Sequence, residues 1–265
     1  VIRGDSAEEP LRQLIDAIKK RRSVKNVSNL TWKKDGRIYV NKTMHVPLDM
    51  DELSFDYSSM VRRTAKFTLL HGDFSGHMPF KEWCRYPILA IPTCRGCSRD
   101  CVICGGSSSA YSKACERQKT AYRDPQRMAR DVAKAASLIK APIIILGDVL
   151  QGGRDRAKRF LECLKRERVR NHVALEFFSP PDKDFLETVA DAIPNFNIQI
   201  SPESHDEKIR KAFGRNYGNE ELECFIEHAL TLGCRRLDVF FMIGLPYQTS
   251  DSVTETVAYC GRLLE

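Results

Sequence analysis

From about residue 124 onward the chain alternates short β-rich apolar runs with amphipathic helical stretches, the pattern of repeated β-α units and a parallel sheet. The strands this pattern predicts are Pro87 to Ile91, Pro142 to Leu146, His172 to Phe178, Phe196 to Ile200 and Leu237 to Ile243. Between them, Met128, Val132 and Ala135 share one helix face, as do Phe185, Val189 and Ile193. Leu222, Phe225, Ile226 and Ala229 make the i, i+3, i+4, i+7 set of a further helix, with Asn219 as its expected N-cap and Gly233 as its stop. Each helix therefore has one apolar stripe to lay on a sheet. Five parallel strands with covering helices fit a doubly wound sheet or a barrel, and periodicity does not choose between them. In both, chemistry belongs at the C-terminal strand ends.

The first 86 residues follow a different pattern. Ala7 to Arg22 predicts an amphipathic helix through Leu11, Leu14, Ile15 and Ile18, preceded by Gly4-Asp5-Ser6. Leu30 to Val40 predicts a hairpin turning at Lys34-Asp35-Gly36. Residues 41 to 86 have little periodicity and carry Pro47 and Pro79, so an irregular connector is expected there. The expected division is an N-terminal α+β extension over 1–86 and a core domain over 87–265. The chain opens on Val1 and its last helical pattern runs into Glu265 uncapped, which suggests a piece of a longer protein whose core is cut before its last strand.

At 265 residues, 42% hydrophobic and 29% charged, the chain can bury a large core. No apolar run reaches the ~18 residues of a membrane helix. The N-terminus has no signal-peptide pattern, so a cytoplasmic protein is expected. The net charge of +7 is spread along helices beside Asp and Glu, as in Arg154 to Arg170, without a basic stripe interleaved with aromatics. Nucleic acid is therefore not the expected partner.

Ten cysteines change the picture, because four of them fall between residues 94 and 104. Cys84, Cys115, Cys163, Cys224, Cys234 and Cys260 are scattered, as small core residues or half-buried thiols would be. The cluster reads Thr93-Cys94-Arg95-Gly96-Cys97-Ser98-Arg99-Asp100-Cys101-Val102-Ile103-Cys104-Gly105-Gly106-Ser107, directly after a predicted strand. Three thiolates spaced by three and then two residues can converge on one iron-sulfur cube, which leaves its fourth iron without a ligand from this loop. An open position suits a cluster that binds a small molecule and gives it an electron. The same residues also contain two C-x-x-C pairs that could hold a structural zinc in a non-catalytic binding module. Only three residues separate the pairs, against the 15 to 20 or so of zinc ribbons.

This C-x3-C-x2-C loop after a first strand resembles the radical S-adenosylmethionine (SAM) superfamily over roughly residues 85–265. The resemblance implies a partial parallel (β/α) barrel. It implies Cys97, Cys101 and Cys104 as ligands of a 4Fe-4S cluster, Cys94 as a bystander, and reductive cleavage of SAM to a 5′-deoxyadenosyl radical. It implies a low-potential electron donor such as a flavodoxin or ferredoxin and a small-molecule substrate. SAM contacts follow by position. Ile103 stands where an aromatic neighbour of adenine is usual, and Leu146-Gly147-Asp148 where many members have Gly-Gly-Glu for the methionyl ammonium. Asp148 would otherwise cap the next helix. Ser201-Pro202-Glu203-Ser204 resembles the groups that bind ribose and methionine, although a helix starting at Glu203 would explain them as caps. Arg215 resembles a basic partner of the SAM carboxylate, against the reading of a solvated helix-end cation. Met242-Ile243-Gly244-Leu245-Pro246, followed by Gln248 and Thr249, looks like the family's adenine-facing strand ending.

Gly4-Asp5, Glu8-Glu9 and the helix after them resemble the segment leading out of the cobalamin-binding domain in the cobalamin-associated branch. That branch implies cobalamin as a further cofactor and methyl transfer or rearrangement as the reaction. A methylthiotransferase acting on nucleic acid is the alternative within the superfamily, without a second cluster motif to support it. No catalytic side chain is expected, because the radical abstracts the hydrogen. His71, His77 and His205 read as surface or structural.

Overall fold

The computed structural model describes residues 1–42, 44–51, 55–71 and 89–265. In chain order the first elements are α1 (Glu8–Lys19), β1 (Thr31–Lys34), β2 (Arg37–Val40), α2 (Tyr57–His71), β3 (Leu89–Pro92), β4 (Cys94–Arg95), α3 (Ser108–Cys115) and β5 (Ala121–Tyr122). There follow α4 (Pro125–Leu138), β6 (Ile143–Leu146), α5 (Arg154–Glu167), β7 (Val173–Phe177), α6 (Lys183–Ala192), β8 (Phe196–Glu203), α7 (Glu207–Ala212), α8 (Asn219–Thr231), β9 (Leu237–Phe241) and α9 (Ser250–Arg262). They form two compact units, Val1–Met50 with Cys94–Tyr122 and Asp51–Thr93 with Arg123–Glu265. The boundary expected at 86/87, the start of the strand expected from Pro87, and Pro79, His77 and Cys84 lie outside the described residues.

In the first unit the expected hairpin is present. Thr31 to Lys34 pair antiparallel with Arg37 to Val40, and Asp35 (φ 49°) and Gly36 (φ 76°) make the two-residue turn whose positive φ values match strand twist. Trp32 stacks on its cross-strand partner Tyr39 at 4.7 Å. Two buried asparagines tie the irregular chain around the hairpin. The Asn41 amide donates to the carbonyls of Val24 (2.8 Å) and Val27 (2.7 Å) and its oxygen accepts from Trp32 Nε1. Asn29, at φ 59°, donates to the carbonyls of Arg3 and His45, both at 3.1 Å.

In the second unit β3, β6, β7, β8 and β9 form one parallel sheet, with neighbours in the same order as the chain. A doubly wound sheet reverses its strand order at a switch point. This one does not, so tertiary order supplies what periodicity left open: an open sheet of the barrel type, with no closing strand among the described residues. Alternate side chains split cleanly between its faces. Ile91, Ile143, Ile145, Val173, Leu175, Phe177, Ile198 and Ile200 are buried in the core with the stripes of α4, α5, α6 and α8. The opposite face carries Ala90, Ile144, Leu146, Ala174, Glu176, Asn197, Gln199, Asp238 and Phe240, so it mixes small, apolar and polar side chains.

Local signals place the helices. Asp124 accepts from Arg127 N at 3.0 Å ahead of Pro125, and Asp182 accepts from Phe185 N at 2.9 Å. Gly233, at φ 87°, follows α8 as expected. Three expectations shift. Gly218, not Asn219, occupies the N-cap of α8, because the Asn219 side chain serves the buried Arg210 and the His205 carbonyl. The connector expected over 41–86 contains α2. Its apolar residues are mixed with Ser, Thr and Arg, so helical periodicity is weak, and buried Tyr57 joins it to the core. Strand β8 runs on through Ser201 to Glu203, three residues beyond the expected end.

Phe185 is fully buried and meets Phe177 edge-on, with centroids 6.2 Å apart. Phe185→Ala is expected to cost about 3–5 kcal/mol of folding free energy, read as a lower urea midpoint. A change under about 1 kcal/mol would place this ring outside the core.

Candidate active site

The cysteine arm belongs to the first unit. Cys94 and Arg95 pair antiparallel with Tyr122 and Ala121, which fixes where the arm leaves and returns. Gly96 then turns at φ 90°, and a Cβ there would lie 2.7 Å from Arg117 Cδ, so only glycine fits without a shift. Tight turns follow, with Cys104 N donating to Cys101 O and Ser107 N to Cys104 O, both at 3.1 Å. Ser107 caps α3 through Ala110 N at 3.3 Å, and Asp100 accepts from Ser109 N at 3.0 Å.

Two of the three expected ligand sulfurs accept backbone amides. Arg99 N donates to Cys97 Sγ and Gly106 N to Cys104 Sγ, each at 3.3 Å. Backbone amides aimed at sulfur are the kind of bond that tunes iron-sulfur clusters. The donor set therefore fits a soft, thiolate-bound cluster. The Cys94 thiol instead donates to Gly96 O at 3.5 Å. Cys104, Val102 and Ile103 are exposed. Among the described residues no three His, Cys, Asp or Glu side chains stand together at metal-holding spacing, so the structure puts the three thiols on one arm without gathering them.

In the second unit, the C-terminal strand ends carry the other expected residues. Gly147, at φ 87°, follows β6 and donates its amide to Glu176 Oε2 at 2.8 Å. Asp148 is buried, and its two oxygens accept from Leu150 N (2.8 Å) and Phe178 N (2.9 Å). It caps the turn after β6 and ties that turn to the end of β7.

Ser201 and Glu203 lie at a register shift between β8 and β9, with Glu203 at φ 68°. The alternative that they cap a helix fails, because α7 starts at Glu207 under an Asp206 cap. A non-glycine residue in the left-handed region stores strain of about 1–3 kcal/mol, and such residues gather at functional sites. Glu203 faces Arg215 at 3.4 Å, with side chains only 12% and 11% exposed. Arg215 also donates to Phe178 O at 3.3 Å and lies over the Phe178 ring, while its buried Nε has no partner. It is therefore no solvated cation. Burial pushes the Glu203 carboxyl above its ordinary range, and Arg215 pulls only part of the way back.

Past β9, Met242 N continues the pairing to Glu203 O at 2.9 Å. Gly244 turns at φ 90°, and Gln248 closes the turn by accepting from Gly244 N (2.8 Å) and Leu245 N (2.9 Å) and donating to Met242 O (3.0 Å). Met242 and Ile243 stay exposed.

The polar row of the sheet was missed by sequence reasoning. Glu176, Gln199 and Asp238 stand opposite one another on three neighbouring strands. Arg236 holds Asp238 at 2.8 Å, and one register step earlier Asn197 keeps a buried Oδ1 without a partner. The signal was available: each is a polar residue at every second position of an apolar run.

A carboxyl raised by folding binds its proton more tightly in the folded chain, so its contribution to stability declines as pH rises past the ordinary value of 4.5 for glutamate. Glu203→Gln is expected to flatten urea midpoint against pH above that value. An unaltered slope would show that Glu203 titrates as an ordinary carboxyl.

The family model of the Radical SAM superfamily matches residues 91–260. The structure superimposes on TsrM from Kitasatospora setae, a radical SAM methyltransferase solved with cobalamin and a [4Fe-4S] cluster, with TM-score 0.68 and 15% identity over 99% of this chain and 49% of that one. TsrM solved with tryptophan substrate and a SAM analogue gives TM-score 0.67 at the same identity and coverage. OxsB, a cobalamin-dependent SAM radical enzyme, gives TM-score 0.61 and 15% identity over 97% of this chain and 35% of that one. The chain thus spans about half of TsrM and about a third of OxsB, and at these identities the likeness shows the fold. No curated protein matches it in sequence. No described helix is long and apolar enough to cross a membrane. With 170 matched residues, a sequentially ordered parallel sheet and the cysteine arm directly after its first strand, the chain belongs to the radical SAM superfamily of enzymes, whose cofactors are a 4Fe-4S cluster and SAM.

Proposed function

We propose that this chain is the core of a cobalamin-associated radical SAM enzyme, in which Cys97, Cys101 and Cys104 hold the cluster. The observation that carries the reading is the arm itself: thiols at C-x3-C-x2-C spacing, two of them receiving backbone amides, in a chain of this superfamily. When bound, the cluster and SAM supply one-electron cleavage of the sulfonium to a 5′-deoxyadenosyl radical. The residues of this chain do the rest, which is binding, orientation and exclusion of water. Cys94 stays out of the ligand set.

The SAM contacts are proposed residue by residue. Arg215, with its spare buried Nε, offers a cation to the methionyl carboxylate, and Glu203 and Ser201 offer oxygens to ammonium and ribose hydroxyls. Gly147 presents backbone to the ammonium end, Asp148 orders that turn and adds its charge, and Glu176 brings a second carboxylate. Met242 and Gly244 of the second unit supply apolar and backbone surface for adenine, and Ile103 on the cysteine arm is assigned as an adenine neighbour from the family resemblance alone. The polar row suits a small-molecule substrate with hydrogen-bond donors. The structural likeness to TsrM and OxsB supports cobalamin and methyl transfer or rearrangement, with residues 1–86 as the extension that leads in from a cobalamin domain. A low-potential flavodoxin or ferredoxin in the cytoplasm would be the electron source.

Anaerobic reconstitution of the full chain is expected to give a brown protein with about four irons and four sulfides that converts SAM to 5′-deoxyadenosine under a low-potential reductant. Cys101→Ala should lose both cluster and product, and Cys94→Ala should keep both. A colourless protein whose bound zinc is lost in Cys94→Ala would replace this reading with a structural metal site.

A further inference from the structure

We infer that Asp5 and Arg117, extended by Ser6, Glu8 and Arg95, form a buried clamp that positions the Cys94–Cys97 stretch and balances the charge beside it. The inference rests on the proposed cluster ligands. The clamp lies wholly within the first unit and joins residues 112 apart in sequence.

Arg117 is 1% exposed and Asp5 9%. All five guanidinium protons of Arg117 can be accounted for. Nε donates to Asp5 Oδ2, and Nη2 donates to Asp5 Oδ1 at 3.2 Å and Ser6 Oγ at 3.3 Å. Nη1 donates to the carbonyls of Pro47 (2.9 Å) and Lys119 (3.3 Å). The Ser6 hydroxyl donates to Asp5 Oδ1 at 2.9 Å and accepts from Arg95 Nη1 at 3.1 Å. Arg95 grips Glu8 with both nitrogens, at 2.7 and 3.1 Å. This is a fork-to-fork pair, which fixes orientation as well as distance.

The clamp reaches the thiols through Gly96. The aliphatic stem of Arg117 lies where a Gly96 Cβ would stand, and Gly96 sits between Arg95 and Cys97. One arginine of the clamp thus supports the peptide before Cys97 from beneath, and the other is the residue after Cys94. Burial pushes the Asp5 carboxyl up, but hydrogen bonds from Arg117 and Ser6 together outweigh it and hold the carboxyl below its ordinary range, so Asp5 carries its charge at neutral pH. A buried ionised pair is electrically balanced, and removing one member leaves a poorly screened charge.

That asymmetry separates a positioning role from a bolt that only holds the fold. Reduction makes a cluster more negative. Asp5→Asn keeps the shape and an acceptor but leaves Arg117 as an unbalanced cation, so the midpoint potential should rise. Arg117→Met leaves Asp5 as an unbalanced anion, so the potential should fall. Glu8→Gln, at the exposed end of the clamp, should shift it upward by less, and Asp5→Glu should restore the wild-type value.

The experiment is a potentiometric EPR titration of the anaerobically reconstituted full chain, with iron content and thermal unfolding measured alongside. Opposite shifts in Asp5→Asn and Arg117→Met at wild-type iron content support the inference. If Arg117→Met fails to fold, an upward shift in both Asp5→Asn and Glu8→Gln with recovery in Asp5→Glu supports it. Shifts in one common direction, or none in a loaded protein, overturn it alone. A wild-type chain that takes up no cluster overturns the ligand assignment and the inference together.

Discussion

The strands of the parallel sheet turn one row of side chains under the helices, fully buried in β6, β7 and β8 and half-buried in β9. Ile143, Ile145, Val173, Leu175, Phe177, Ile198 and Ile200 go to that side, where the stripes of α4, α5, α6 and α8 meet them. The pleat then leaves the alternate row with no apolar obligation. Ala90 and Ala174 keep it low, Ile144, Leu146 and Phe240 stay in it, and Glu176, Asn197, Gln199 and Asp238 give it a polar stretch across β7, β8 and β9. A second helical layer would have required that row to be apolar throughout. Its polarity is what a half-barrel interior needs in order to receive a ligand.

The strand ends depend on the same sheet for their order. Where regular pairing stops, each liberated backbone group needs another partner. Asp148 takes two amides after β6, Gln248 takes two after β9, and Arg210 serves the Ser204 and Tyr217 carbonyls after β8. Arg210 is fully buried without a carboxylate partner among these contacts, and its ring neighbour Tyr217 lies 5.1 Å from the guanidinium. These residues hold the left-handed Glu203 and the turns at Gly147 and Gly244 in place. Strain at Glu203 is held by its ion pair with Arg215 and by the amide of Met242 on its carbonyl.

The cysteine arm follows another logic. It has no apolar stripe of its own beyond short α3, and its order comes from a short ladder with β5, from turns, and from the buried ion pair beneath Gly96. Polar networks of this kind specify one geometry where apolar packing is thin. A soft metal cluster asks its ligand loop for a defined shape and a controlled electrostatic surrounding, and a satisfied polar base supplies both.

The sequence by itself determined most of the elements and the family. Periods of two and 3.6 residues located the strands and, α2 apart, the main helices of the second unit, Asp35-Gly36 located the hairpin turn, and cysteine spacing identified the family, because these signals are local and each residue carries its own share. Only the tertiary structure decided what depends on residues far apart. Strand order chose the barrel type over a doubly wound sheet, since order is a property of pairing and leaves no trace in periodicity. Burial of Arg215 against Glu203 and Phe178 separated it from a solvated helix end. Tyr57 drew a weakly patterned stretch into a helix, and Arg117 joined Asp5 to the cysteine arm across 112 residues. A charged residue in a sequence looks the same whether it faces water or a distant partner, and only the folded chain brings the partner to it.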